Sequence, residues 1–329
     1  MAQTPQAAVD FESAADLDTL YGLLDRVQMK NGWAKAVPVI VPQPKKTYVP
    51  AHWRYADAHA ALHVAGRLVA TEWAERRNLI MANPIEGNEY GTVPTLVGAY
   101  QMVKAGEVAH SHRHTPNAMR IVVDAGPDTY TIVDGTKIPM LRGDVLLTPN
   151  WCYHGHANES AQDAYWIDFL DSPLVDLIGP MFFQKHPERV ERAQQVDADS
   201  PMRFAYADYQ PRLLASPEIA AGVRSLVLGP ATLPTFDRVA VALAAGARWS
   251  CPRSTANQVF TVIEGEGEST IGDKTFRWAA GDMIAAPGWH DQRHAASADA
   301  VLLRVSDEPL MRMLGWFHTE ESAKAQTAA

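Results

Sequence analysis

The chain has 329 residues, 47% of them hydrophobic and 20% charged, with a formal charge of −9. That length suggests about two domains, and the composition is that of an ordinary globular core. No basic run exceeds short pairs such as Lys45-Lys46, so neither nucleic acid nor an anionic membrane is an expected partner, because both demand a concentrated positive footprint. Two cysteines, Cys152 and Cys251, make no disulfide framework, and no stretch reaches the ~18 apolar residues of a membrane span; a cytoplasmic location is expected.

Residues 1–91 are expected to form an N-terminal helical arm. Leu17, Leu20, Tyr21, Leu24 and Val27 recur at helical spacing, with Asp10 or Ser13 as candidate N-caps. A Pro-rich extended stretch runs from Val37 to Pro50. A second helix is expected from Asp57 to Glu75, with Ala61, Leu62, Ala65, Leu68 and Val69 on its apolar side. From about Thr92 the pattern changes to short strands. Tyr130 to Val133 and Thr136 to Ile138 flank Asp134-Gly135, which supplies the positive φ of a two-residue hairpin turn. The same pattern returns as Ser269-Thr270-Ile271, Gly272-Asp273 and Lys274-Thr275-Phe276.

These hairpins belong to a longer repeat. Gly143 to Trp151 aligns with Gly281 to Trp289; upstream, after a small drift in offset, Gly106 aligns with Gly246 and Asn117 with Asn257. Two copies of one all-β unit are the economical reading, each a barrel or sandwich that hides its strand edges. The expected organisation is a first barrel at residues 92–172, a partly helical linker at 173–233, a second barrel at 234–307 and a C-terminal helix or tail at 308–329.

His112 and His114, two apart, present both imidazoles on one side of a strand, and His154 is the third candidate ligand. Three neutral nitrogen donors converging inside a barrel suit a divalent first-row metal such as Fe(II), with positions left open for substrate and oxygen. His110 shares the parity of the pair and is expected nearer the mouth or on the surface. In the second copy Pro252, Ser254 and Gln292 stand where those histidines stand, so one metal per chain is expected, with His290 and His294 structural.

The spacing of Gly106, His112 and His114, then of Gly143, Pro149, His154 and Asn158, resembles the two cupin motifs, with Trp151 in place of a usual Gly. The Glu that commonly follows the second His is missing; Ala118 and Met119 stand there. Three neutral ligands leave a metal its full charge, which favours an anionic chelating substrate and argues against the oxalate-processing cupins, which keep that Glu. Longer runs, His52-Trp53-Arg54-Tyr55-Ala56-Asp57, Glu75-Arg76-Arg77, His112 to Arg120 and Thr148 to His156, resemble the bicupin gentisate 1,2-dioxygenase family, which includes salicylate and 1-hydroxy-2-naphthoate dioxygenases.

That resemblance implies an all-β fold of two stacked cupin barrels (double-stranded β-helices, or jelly rolls) behind the helical arm, commonly as a homo-oligomer, a tetramer or dimer. It implies Fe(II) and an extradiol-type dioxygenase acting on a small aromatic acid and O2, opening the ring between the carboxyl- and hydroxyl-bearing carbons. The metal ligands then fall on His112, His114 and His154. Contacts to substrate fall on Arg120, His156 and Asp168, with an upstream arginine at Arg76 or Arg77. Paired guanidinium donors match a carboxylate. His156 could hydrogen-bond a phenolate and move a proton while Asp168 fixes its tautomer. The plainer readings are a surface salt bridge for Arg120 and a turn cap for Asp168.

Family members that take gentisate or salicylate usually show an aromatic-Ala-Gly run ahead of the first motif; here it is Val97-Gly98-Ala99. A substituted salicylate such as 5-nitrosalicylate is therefore expected, with gentisate or a naphthoate as the other candidates. The rival readings are a non-catalytic bicupin binding protein and another metal-dependent cupin enzyme, an isomerase or decarboxylase. The intact histidine set counts against the first, and the missing Glu and nearby arginines against the second.

Overall fold

The computed structural model describes residues 9–33, 40–70, 76–229 and 233–321. Residues 37–39 of the Pro-rich stretch, 71–75 of the expected second helix and 322–329 of the tail lie outside the described residues. Residues 1–45 form a unit of their own. In it, helix α1 (Leu17–Arg26) is capped by Asp16, whose Oδ1 accepts from Thr19 N at 2.8 Å. Neither expected cap serves it, because Asp10 caps a separate 3-10 turn, Phe11–Ser13.

The second unit opens with β1 (Ala51–Trp53), α2 (Tyr55–Leu68) and β2 (Arg77–Ile80), so the expected arm contributes strands as well as helix. The first barrel follows: β3 (Val97–Val103), β4 (Val108–His114), β5 (Ala118–Asp124), β6 (Thr129–Val133), β7 (Thr136–Pro139), β8 (Val145–Thr148), β9 (His154–Asn158) and β10 (Ala164–Leu170). The connection carries α3 (Ser172–Ile178), β11 (Phe183–Lys185), β12 (Gln195–Val196), β13 (Arg203–Phe204), α4 (Tyr206–Leu214), β14 (Glu218–Ala220) and β15 (Val223–Val227). The second barrel comprises β16 (Asp237–Leu243), β17 (Arg248–Cys251), β18 (Gln258–Glu264), β19 (Glu266–Ile271), β20 (Lys274–Ala279), β21 (Met283–Ala286), β22 (Gln292–Ala296) and β23 (Ala300–Ser306), and α5 (Glu308–Met313) ends it. No helix among the described residues is long and apolar enough to cross a membrane.

Two six-stranded sheets build the first barrel, in the orders β13-β8-β5-β10-β3-β2 and β11-β4-β9-β6-β7-β12. The second has the orders β1-β21-β18-β23-β16-β15-β14 and β17-β22-β19-β20. Both hairpins form at the expected turns: Asp134 and Gly135 both have positive φ (42° and 77°), and Gly272 leads from β19 into β20 at φ 60°. Alternating residues such as Met119, Ile121 and Leu147 from one barrel meet Val259, Ile263 and Met283 from the other in one apolar cluster, so burial of these inner faces joins the barrels.

The repeat extends further than the barrels, and it is crossed. β1, which precedes the first barrel, pairs with β21 of the second (Ala51↔Ala285), while β13, which precedes the second, pairs with β8 of the first (Arg203↔Leu146). Tyr55 N donates to Asp282 Oδ1 (2.8 Å) and Tyr206 N to Asp144 Oδ1 (2.9 Å), so one Tyr-Ala-Asp helix start is used twice. A second crossed pair works alike. Asp171 accepts from Asn117 Nδ2 (2.8 Å) and Thr235 Oγ1 (2.5 Å); Asp307 accepts from Asn257 Nδ2 (2.7 Å) and Thr95 Oγ1 (2.6 Å). Each barrel is thus completed by residues from the segment that introduces the other.

Candidate metal centre

Hydrogen bonding across β4 and β9 places His112 directly opposite His154. One ring nitrogen each of His112, His114 and His154 lies within 4.8 Å of the others. The Nδ1 atoms are already engaged with backbone carbonyls: His112 with His110 O (3.3 Å), His114 with Pro116 O (2.8 Å) and His154 with Cys152 O (3.1 Å). A carbonyl can only accept, so each Nδ1 carries the proton and each Nε2 is the unprotonated nitrogen, the form in which imidazole ligates a metal. Burial lowers the pKa of all three rings, His112 to about 3 and His154 well below its ordinary value, which keeps them neutral as ligands must be. This donor set fits a first-row divalent ion.

Two local features produce the cluster. A bulge between Ala109 and His112 breaks the strand's alternation, which explains why His110 does not join the set despite its parity; its Nε2 lies 3.5 Å from Arg189 Nη2 instead. Trp151, in the place of a usual motif glycine, keeps the left-handed conformation (φ 64°), and its N donates to His114 O at 2.9 Å. The cost of that backbone for a non-glycine residue is about 1–2 kcal/mol.

Beside the histidines lies a cavity of about 250 Å³ whose wall includes His114, His154, Arg120 and Asp168. Strand register arranges its floor. Arg120, Asp168, Ala99 and Ile80 form one cross-strand row, β5 to β10 to β3 to β2, and Val97 and Gln101 flank Ala99 on the same face of β3. Gly98, of opposite parity, faces the second barrel, where an added Cβ would meet Met283 Sδ at 2.7 Å. Arg76, Asn78 and Ile80 enter the cavity together, whereas Arg77 turns the other way. It pairs with Glu107 and donates to Val69 O from Nε (3.0 Å) and Nη2 (2.7 Å). Of the two upstream arginines, only Arg76 therefore lines the cavity. Its Nε donates to Gln101 Oε1 at 3.1 Å.

Arg120 is no surface residue: 1% exposed, it donates from Nε to Asp168 Oδ1 (3.2 Å), from Nη1 to Thr131 Oγ1 (3.1 Å) and from Nη2 to Thr148 Oγ1 (3.2 Å). Its Nη1 also lies 3.0 Å from His156 Nδ1. The expected Asp168–His156 contact is thus replaced by an Asp168–Arg120–His156 chain, because Asp168 sits opposite Arg120 in register. Burial, with Arg120 beside it, holds the His156 pKa well below its ordinary value, so the ring is neutral and accepts from a guanidinium that can only donate. Gln101, Thr131 and Thr148 were not anticipated. Gln101 could have been found from its parity with Val97 and Ala99, while the threonines carry no local signal.

In the second barrel Phe260 occupies the place of Arg120. His294 packs on Phe260 (ring centroids 4.6 Å apart) with Nδ1 2.8 Å from Ser269 Oγ, and His290 Nδ1 lies 3.0 Å from Pro287 O. Among the described residues, His112, His114 and His154 are the group brought together as metal ligands.

Two jelly-roll barrels, one of them holding a three-histidine group fit for a metal beside a small cavity, define a bicupin protein. Residues 99–170 match the Cupin domain family model. The chain is 32% identical to gentisate 1,2-dioxygenase 1 of Aquipseudomonas alcaligenes over 90% of its length and 94% of the relative's. It is also 32% identical to a 5-aminosalicylate 1,2-dioxygenase of Comamonas sp over 94% and 91%. The crystal structure of salicylate 1,2-dioxygenase from Pseudoaminobacter salicylatoxidans superposes with a TM-score of 0.87 at 26% identity, covering 97% of this chain and 96% of that one. The chain belongs to the gentisate 1,2-dioxygenase family of bicupin oxygenases.

Proposed function

We propose that this protein is an Fe(II)-dependent dioxygenase that opens the ring of a substituted salicylate, with 5-nitrosalicylate preferred to gentisate. The observation carrying this reading is that two members of the triad His112, His114 and His154, namely His114 and His154, line one 250 Å³ cavity together with Arg76 and Arg120. His112, His114 and His154 would hold the iron, which would supply the Lewis acidity and oxygen chemistry that the reaction of a chelating 2-hydroxybenzoate with dioxygen requires. Cleavage breaks the bond between the carboxyl-bearing and hydroxyl-bearing carbons. Both oxygen atoms enter the product, leaving a 2-oxo acid at one end and a new carboxylate at the other.

The remaining roles fall to the protein's own groups. Arg76, tied among the described residues to Gln101 through Nε, offers its terminal nitrogens to the substrate carboxylate. Arg120 brings a buried positive charge to the cavity wall, which favours the phenolate over the phenol. Asp168, His156, Thr131 and Thr148 hold that guanidinium in place. A nitro group para to the hydroxyl acidifies the phenol further, so the chelating dianion forms without a second hydroxyl. Val97, small for a wall residue, leaves room for the substituent, and Ala99 shifts the ring away from the backbone of β3. Exposed Leu177, Ile178, Phe182 and Phe183 support assembly of several copies.

The test is anaerobic reconstitution with Fe(II), then oxygen uptake against 5-nitrosalicylate, salicylate, gentisate and 1-hydroxy-2-naphthoate. Uptake is expected to be fastest per unit of iron with 5-nitrosalicylate. Uptake with none of the four acids defeats the assignment.

A further inference from the structure

A second cavity, of about 240 Å³, lies in the seam between the two barrels, with Ile121, Val123, Val262 and Ile263 in its aliphatic wall. It nearly equals the metal-side cavity in volume, so molecules of the same size class fit. Two charged side chains line it, Arg142 and Asp124, both exposed. Neither forms a hydrogen bond or ion pair with a described residue, nor with the other.

The internal repeat shows that this polarity is not imposed by the fold. At the related position in the other copy, Ala280 stands for Arg142 and Ile121 for Thr261. Thr261 is 1% exposed, and its hydroxyl has no partner in the structure; the hydroxyl of Tyr55, also in the wall, has none either. Burying an unsatisfied hydroxyl costs about 1–3 kcal/mol, and the isoleucine in the other copy shows that an aliphatic side chain is accommodated there without that cost. Polar groups retained at such a cost, around an existing cavity, are the usual composition of a small-molecule site.

We propose that this seam cavity binds a small zwitterion with an apolar body, a hydrophobic amino acid being the simplest example. Its carboxylate meets the paired donors of Arg142, its ammonium meets Asp124, and its side chain lies on the aliphatic wall. Thr261 and Tyr55 supply the remaining hydrogen bonds. Strand β5 connects this site to the metal side, since Ala118 and Arg120 line one cavity while Ile121 and Val123 line the other.

Calorimetric titration of the full-length protein tests this, with L-leucine and L-phenylalanine as probes and isovalerate and isoamylamine as single-charge controls. The amino acids are expected to bind at least tenfold more tightly than either control. Arg142→Ala and Asp124→Ala, both at exposed positions, should each weaken that binding at least tenfold while leaving oxygen uptake without amino acid unchanged. Thr261→Val should weaken it by a smaller factor. The proposal is overturned if neither amino acid binds wild type at millimolar concentration. It is equally overturned if isovalerate or isoamylamine binds as tightly as L-leucine, or if both charge variants bind L-leucine like wild type.

Discussion

Arg120 and Asp168 stand directly opposite each other on neighbouring antiparallel strands, and Arg120 Nε donates to Asp168 Oδ1 at 3.2 Å. With side chains 1% and 5% exposed, this is an ion pair inside the barrel, and its two halves are not equally replaceable. Asp168→Ala leaves a buried guanidinium unbalanced, a loss of about 3–5 kcal/mol. Chemical denaturation should show that drop, together with loss of turnover. Asp168→Asn retains an acceptor for Nε and should recover part of the stability but little of the activity. Wild-type stability in Asp168→Ala would mean that the pair does not organise the site.

The two neighbouring arginines should separate cleanly. Arg76→Ala removes one of the two guanidinium groups lining the cavity and leaves the iron content alone. Losing a charge-assisted hydrogen bond worth ~1.5–3 kcal/mol should raise KM for the acid more than tenfold. Arg77→Ala removes the partner of Glu107 and of Val69 O, so it should lower stability by about 3 kcal/mol with KM nearly unchanged in the protein that remains folded. Steady-state kinetics and melting curves on both variants check the assignment; an unchanged KM in Arg76→Ala removes Arg76 from the substrate.

Much of this is legible in the sequence. The Asp134-Gly135 turn and the aligned Gly143 and Gly281 runs are local chemistry, as is the two-residue spacing of His112 and His114, and local chemistry survives in one dimension. What was not legible depends on register. Arg76, just before β2, and Arg77, its first residue, differ only in the side to which they turn, and nothing nearby in the sequence sets that parity. Asp168 was paired with His156 because both belong to one motif set, whereas cross-strand register gives it to Arg120. The linker strands β11, β12 and β13 are two or three residues long, too short for any period, and they form only because the edges at β4, β7 and β8 offer unpaired backbone groups. The crossed docking of β1 and β13 is a property of the whole chain.

Metal content distinguishes the barrels. With three ligating imidazoles in the first barrel, and Gln292 and Ser254 standing at ligand positions in the second, reconstituted protein should hold about one iron per chain. His112→Ala, His114→Ala and His154→Ala should each abolish both iron retention and oxygen uptake. Elemental analysis decides it: two irons per chain, or full retention in any of these variants, would place metal elsewhere.

Stability should respond to pH through Asp307. Burial raises its pKa to about 6, against hydrogen bonds from Thr95 and Asn257 that lower it. A carboxyl with a raised folded-state pKa binds its proton more tightly folded than unfolded. Its contribution is therefore fully present below the unfolded value near 3.8 and is lost as pH rises through about 6. The shift corresponds to roughly 3 kcal/mol at most. Asp307→Asn cannot titrate, so its unfolding free energy should fall less steeply than wild type between those two pH values. Parallel pH profiles for the two proteins would remove Asp307 as the source.

Substrate choice should turn on Ala99. It faces the cavity from β3, directly opposite Asp168 on one side and Ile80 on the other, so its methyl group lies in the row that ends at Arg120. Removing that methyl lets a ring settle closer to the backbone, which suits gentisate, whose second hydroxyl needs no extra room at Val97. A substituent-bearing salicylate gains less, because its position is already set by the space beside Val97. Ala99→Gly should therefore shift the ratio of kcat/KM for 5-nitrosalicylate over gentisate toward gentisate by about tenfold, the ~1–3 kcal/mol range of one methyl group in an apolar pocket. Val97→Trp should act more severely, closing the space and depressing 5-nitrosalicylate turnover first. Measuring both acids in wild type and both variants gives the answer. A wild type that prefers gentisate, with a ratio unmoved by Ala99→Gly, would make gentisate the substrate and leave Ala99 a bystander in the wall.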